Sequence, residues 1–125
     1  MAVGFWEQLA ERALPTETVP LPLPGGGTVD VELRALPPAE WEALCAAYPA
    51  GGEDVDPGTV NVQAMRSPLL AASVTAPDGS PPKDPAWWDD LAKRGGVTAG
   101  ELDHLNLRCW SLNMRAPTPP DLGKG

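Results

Sequence analysis

Between Val19 and Pro24 every second residue is proline. The run reads Val-Pro-Leu-Pro-Leu-Pro, then three glycines, then Thr-Val-Asp-Val-Glu-Leu-Arg. Proline has no amide hydrogen, so it cannot donate to a β ladder and is kept out of the middle of a sheet. In an extended chain successive amides point to opposite sides. The prolines therefore silence one edge only, and the amides of Val19, Leu21 and Leu23 stay free on the other. Val29, Val31 and Leu33 alternate with Asp30, Glu32 and Arg34, the period of a half-buried strand. A polyproline linker is open to the first arm. Alternation on both arms, about a glycine turn of undetermined type, favours an antiparallel hairpin over about residues 18–35. Its first strand is then an outer edge that cannot donate to a further sheet.

Helical spacing dominates the rest. Trp6, Leu9, Ala10 and Ala13 share a face of a short amphipathic helix over residues 4–14, stopped by Pro15. Pro37-Pro38 opens a second helix, with Trp41, Leu44, Cys45 and Tyr48 at i, i+3, i+4 and i+7 and a stop at Pro49 and Gly51-Gly52. The stretch Val60 to Thr75 has mixed periodicity and reads as a helix kinked or restarted at Pro68, with Ser67 placed to cap its second part. Asp84-Pro85 starts another helix with Trp88, Leu91 and Ala92 on one face, closed by Gly95-Gly96. Thr98 and Glu101 form a capping box for the last. There Leu102, Leu105, Cys109 and Leu112 make one apolar stripe, and Leu107, Trp110 and Met114 a second beside it. Two stripes predict that this helix is the central one. The expected fold class is α+β, a mainly α-helical small domain with an N-terminal hairpin and four to five helices.

The net charge is −8, and residues 1–56 carry ten acids against Arg12 and Arg34, so residues 57–125 balance to zero. No cluster of Lys and Arg exists to neutralise phosphates, which argues against nucleic-acid binding. The acidic half reads as a solvated face, with attraction of a basic partner as the other reading. No stretch approaches the roughly 20 apolar residues of a membrane span. The first residues lack a basic, then apolar, export signal, and two cysteines are too few for a disulfide scaffold. A reduced, soluble, cytosolic chain is expected.

Leu102 to Asn113 gathers a histidine, a cysteine, a tryptophan and two asparagines. His104 and Cys109 are five residues apart, so on a helix they face different ways. They suit neither a zinc site, which needs about four converging ligands, nor a thiol–imidazole nucleophile unless Cys45 approaches from elsewhere. Cys109 is expected to be a small buried hydrophobe. Glu53, Asp54 and Asp56 could attract calcium, but their spacing fits no EF-hand and a solvated turn is the simpler reading. Gly25-Gly26-Gly27 lies between strands, so it is no phosphate cradle. No catalytic, metal or cofactor residue is assigned, and the expected activity is binding.

The order of parts carries a resemblance. The hairpin leads to "RALPPAEWEAL", then "MRSPLLAASVTAPDG", then "PAWWDDLAKRGGVTAGELDHLNLRCWSLN". Arg66, Leu70, Ala72, Ser73, Val74, Pro77, Asp78 and Gly79, followed by Leu91, Leu102, Leu105, Leu112 and Asn113, resemble the pattern of the tail assembly chaperones of long-tailed bacteriophages and prophages. The resemblance covers about residues 18–114. It implies a non-enzymatic protein of the bacterial host cytoplasm that coats the tape measure protein while the major tail protein polymerises, and that is absent from the finished virion. A permanent component of a phage tail or neck is the alternative, and a small enzyme using Cys45 or Cys109 with His104 is a third possibility.

Residues 1–17 are then an extension outside the pattern, 18–114 the chaperone-like domain, and 115–125 a Pro/Gly-rich tail expected to be flexible. Phe5, Trp6 and Trp87 are the expected partner-binding side chains, with Trp87 equally open to being a second buried ring beside Trp88. The resemblance also implies a longer product made by a minus-one ribosomal frameshift. Leu122-Gly123-Lys124 can be encoded CUG-GGA-AAG, a slippery run, so the longer form is an expected further partner.

Overall fold

The computed structural model describes residues 4–56 and 58–114. Five helices and three strands follow in the order α1 (Phe5–Ala10), β1 (Thr16–Pro22), β2 (Thr28–Arg34), α2 (Pro38–Ala47), α3 (Val62–Ser73), β3 (Val74–Thr75), α4 (Pro85–Arg94) and α5 (Ala99–Asn113). This is a small α+β domain.

The hairpin forms, with Val19 opposite Val31 and Leu21 opposite Val29. Two flanking bonds set its phase: Ala35 N–H donates to the Pro15 carbonyl and Leu23 N–H to the Gly27 carbonyl, each at 3.0 Å. Paired amides therefore fall on odd residues of β1. Pro20 and Pro22 sit where the amide would face away from β2. β1 is an outer strand, as the proline spacing predicts, because the sheet order is β1-β2-β3. The turn is type II. Pro24 takes its second position, Gly25 follows at φ 88°, and Gly26 N–H reaches the Leu23 carbonyl at 3.1 Å. The hairpin's inner face is buried only near its base, at Val19 and Leu33, while Leu23 and Val29 at the tip are exposed.

Three expectations are corrected. The first helix is shorter than residues 4–14: it ends at Ala10 and none of its residues is buried. Without a core contact, a six-residue helix has little to sustain it. Second, the helix is not restarted at Pro68, and Ser67 does not cap it. Asn61 caps it, accepting from Ala64 N–H at 3.1 Å, and it runs through Pro68 to Ser73. An interior proline costs about 3 kcal/mol. Here Met65, Leu69 and Leu70 are fully buried on both sides of it, burial that offsets this cost. Val74 and Thr75, expected to be helical, instead pair with Leu33 and Glu32 as a third strand.

Third, α5 shares the centre with α3: α3 touches α2, α4 and α5, while α5 touches α3, β1 and β2. The first stripe of α5, Leu102, Leu105, Cys109 and Leu112, is buried as expected. Leu107 and Met114 of the second stripe are exposed, and Trp110 is half-buried against the Trp41 ring, centroids 4.7 Å apart. The fourth and fifth helices start as predicted. Asp84 caps α4 through Trp87 N–H at 2.9 Å, and both bonds of the Thr98–Glu101 capping box are made.

Polar groups tie the layers. Glu17 on β1 and Arg108 on α5 form a two-bond ion pair, one bond being Arg108 Nε to Glu17 Oε2 at 2.6 Å. Arg34 Nε donates to the Ala72 carbonyl at 3.1 Å. Asn113 Oδ1 accepts from the buried Leu36 N–H at 2.6 Å, while its Nδ2 donates to the Cys109 carbonyl at 2.8 Å. The sequence marks Asn113 only through the family pattern, and its structural task is to pin the β2–α2 connection to the end of α5.

Candidate interaction surface

The chemically interesting atoms of α5 separate as its helical geometry requires. Cys109 has no exposed surface and His104 is exposed. Burial pushes the Cys109 thiol up to about 12, the Ser73 hydroxyl pulls the other way, and the Glu17 charge adds to the rise. A thiol so reluctant to ionise is a poor nucleophile at neutral pH. Cys45 on α2 is half-buried, and burial raises its pKa as well. Among the described residues no three of His, Cys, Asp or Glu lie where they could share a metal ion. Glu53, Asp54 and Asp56 are exposed. No described helix is long and apolar enough to cross a membrane.

Beyond the hairpin tip and Leu14, apolar surface is left uncovered in two places. On α1, Phe5 is 65% and Trp6 76% exposed, their rings packed edge to face with centroids 4.8 Å apart, and Leu9 is exposed beside them. Both aromatics sit where an outward-facing role requires. Trp87 does not. It is half-buried, its ring 5.1 Å from that of Trp88 in a T-shaped pair, with Lys83 Nζ 5.9 Å from its centroid. α4 carries two adjacent tryptophans, and the 76–84 connection folds back so that Pro81, Pro82 and Lys83 line the same small cavity as both rings. Trp87 is thus largely a packing residue, and as an open partner-binding side chain it is corrected.

The second uncovered place is not foreseen in the sequence, because Leu107, Trp110 and Met114 read there as a second apolar stripe of a central helix. Val62 and Gln63 on α3 face Asp103, Asn106, Leu107 and Trp110 on α5 across a cleft of about 490 Å³. Val62 and Leu107 are exposed, and so is Met114 at the end of α5. Asn106 is buried with its Oδ1 unpartnered, and Trp110 Nε1 has no acceptor. Both of these atoms are buried, so what the cleft presents is mainly its apolar lining. A signal was available: α5 has apolar residues on more of its circumference than one neighbouring helix and a sheet can cover.

Comparison of the chain with protein-family models, with curated proteins and with solved structures finds no match.

Proposed function

We propose that this chain is a binding protein of the tail assembly chaperone kind, acting on the tape measure protein during phage tail assembly. The observation that carries the reading is the uncovered apolar surface of an acidic domain: Phe5 and Trp6 on α1, and Leu107 and Met114 on α5. Single exposed apolar residues are ordinary, but neighbouring ones mark surfaces that meet a partner. Such surfaces suit a protein that shields the apolar stretches of a long helical partner, while a net charge of −8 keeps the complex dispersed. The family pattern supports the same reading. Its segment Arg66 to Gly79 makes one unit here, the second half of α3, strand β3, and a turn in which Gly79 N–H reaches the Ala76 carbonyl at 3.0 Å. The major tail protein and a frameshifted longer form are expected partners in the same assembly. Residues 115–125, which hold Leu122-Gly123-Lys124, lie outside the described residues.

The test is co-expression with the tape measure protein encoded in the same genome. The expected result is soluble tape measure protein that co-purifies with this chain, reduced when Phe5 and Trp6 become serine. Mass spectrometry of purified particles should then lack the chain. Stoichiometric amounts in particles would instead make it a permanent tail or neck component, and no effect on the tape measure protein would end the chaperone reading.

A further inference from the structure

We infer that Asp78-Gly79 is a site of spontaneous backbone modification, isomerisation to isoaspartate, and that Ser80 holds the reaction in check in the folded chain. Gly79 is the one glycine in the sequence that follows an Asp or Asn. The reaction joins the Gly79 nitrogen to Asp78 Cγ, and glycine has no side chain to obstruct that approach. The bond lies in the turn after β3, where Asp78, Gly79 and Ser80 are all exposed. Apart from its chain neighbours, nothing lies within 4 Å of where a Gly79 Cβ would stand. In the first step the N–Cγ bond forms and the Cγ–OH bond breaks. The carboxyl hydroxyl leaves with the amide proton as one water, and a five-membered imide remains. Water then adds back. Opening at the main-chain carbonyl leaves Gly79 joined through Cγ, with the former main-chain carbonyl as a free carboxylate. No oxidant or cofactor enters, and the mass returns to its starting value. The main chain is longer by one methylene, between β3 and the Pro81-Pro82 segment that lines a cavity with Trp87 and Trp88.

The folded turn opposes both reacting groups. Asp78 Oδ1 accepts from Ser80 N–H at 2.9 Å and from Ser80 Oγ at 2.6 Å, the side-chain bonding of an Asx turn. Donors on a carboxylate favour its ionised form, so the Ser80 hydroxyl first, and its amide second, hold the Asp78 carboxyl below the usual range. Ring closure consumes the neutral acid, whose hydroxyl can leave as water, and this is the form that Ser80 depletes. The nucleophile is engaged as well. Gly79 N–H donates to the Ala76 carbonyl at 3.0 Å, a bond that ring closure must break. An unfolded chain keeps none of these restraints.

This assignment is independent of the tail-assembly reading, because it needs no partner. The test is prolonged warm incubation of the full chain at neutral pH, followed by peptide mapping with electron-transfer fragmentation, which separates isoaspartate from aspartate. A synthetic peptide of residues 74–84 serves as the unfolded reference. Isoaspartate should accumulate at position 78 of the wild-type chain at least tenfold more slowly than in the peptide. Ser80→Ala removes the hydroxyl donor and keeps the amide. It should speed the reaction at least threefold in the folded chain and change it less than twofold in the peptide. Asp78→Glu, whose carboxyl would have to close a larger ring, should show none. Positions 78 and 80 are exposed, so folding is retained, and circular dichroism checks it. A wild-type chain that reacts as fast as the peptide, or a Ser80→Ala chain no faster than wild type, would overturn the assignment. So would a peptide that forms no isoaspartate, since the bond would then not be a reactive one.

Discussion

Replacing Asn113 with alanine removes a side chain that satisfies two backbone groups at once. The decisive one is the Leu36 N–H, held at 2.6 Å on a residue only 3% exposed. With the amide gone, that donor loses its partner, and leaving a buried donor unpaired costs about 1–3 kcal/mol. The other bond, to the Cys109 carbonyl, adds less, because a helical carbonyl there keeps its backbone partner. The expected loss is about 2 kcal/mol. For a domain near 100 residues each kcal/mol moves the melting point by about 4–8 °C, so Tm should fall by roughly 8–16 °C. Urea denaturation followed by circular dichroism should show a lower midpoint with an unchanged slope, since the surface exposed on unfolding is the same. Ser111→Ala, an exposed change two residues earlier, should stay within about 0.5 kcal/mol of wild type. If Asn113→Ala also falls within that margin, the pinning of the β2–α2 connection by α5 contributes nothing, and the account of this corner of the fold is wrong.

Three further outcomes follow from the same structure. The Cys109 thiol sits at about 12 in the folded chain against an ordinary 9.0, so the folded state holds its proton longer than the unfolded one. Its stabilisation is complete below pH 9 and is lost as pH rises toward 12, at about 1.4 kcal/mol per unit. Cys109→Ala should remove this part of the alkaline decline, read as the difference between the two proteins' urea midpoints across that window. Leu105→Ala should cost about 2–5 kcal/mol and Leu107→Ala less than about 0.5, although both are leucines of one helix. Breaking the Glu17–Arg108 pair with Arg108→Met should lower Tm, and the gap from wild type should narrow in high salt, because both side chains are partly exposed.

The hairpin, the caps and the first stripe of α5 were legible because each rests on local physics. Proline's missing amide dictates which edge of β1 pairs. Asp84 and Thr98 reach amides three residues away, and Leu102, Leu105, Cys109 and Leu112 repeat at the helical period. The misreadings are tertiary in origin. Pro68 sits inside a continuous helix because Met65, Leu69 and Leu70 around it are fully buried on a helix packed against α4 and α5, and no local rule contains that packing. Val74 and Thr75 become a strand because the edge of β2 beside Leu33 is open to them. Trp87 and Trp88 are neighbours in sequence and would face apart on an isolated helix, yet the returning 76–84 connection covers both.

The second stripe of α5 is the instructive failure. Leu107, Trp110 and Met114 have the spacing of a core face, and periodicity alone cannot distinguish a face covered by its own domain from one left for a partner. The distinction is made by supply. A chain of this size has a limited number of elements with which to cover apolar surface. α3 has already spent its buried face on α4, α5 and α2, so nothing is left to cover the far side of α5.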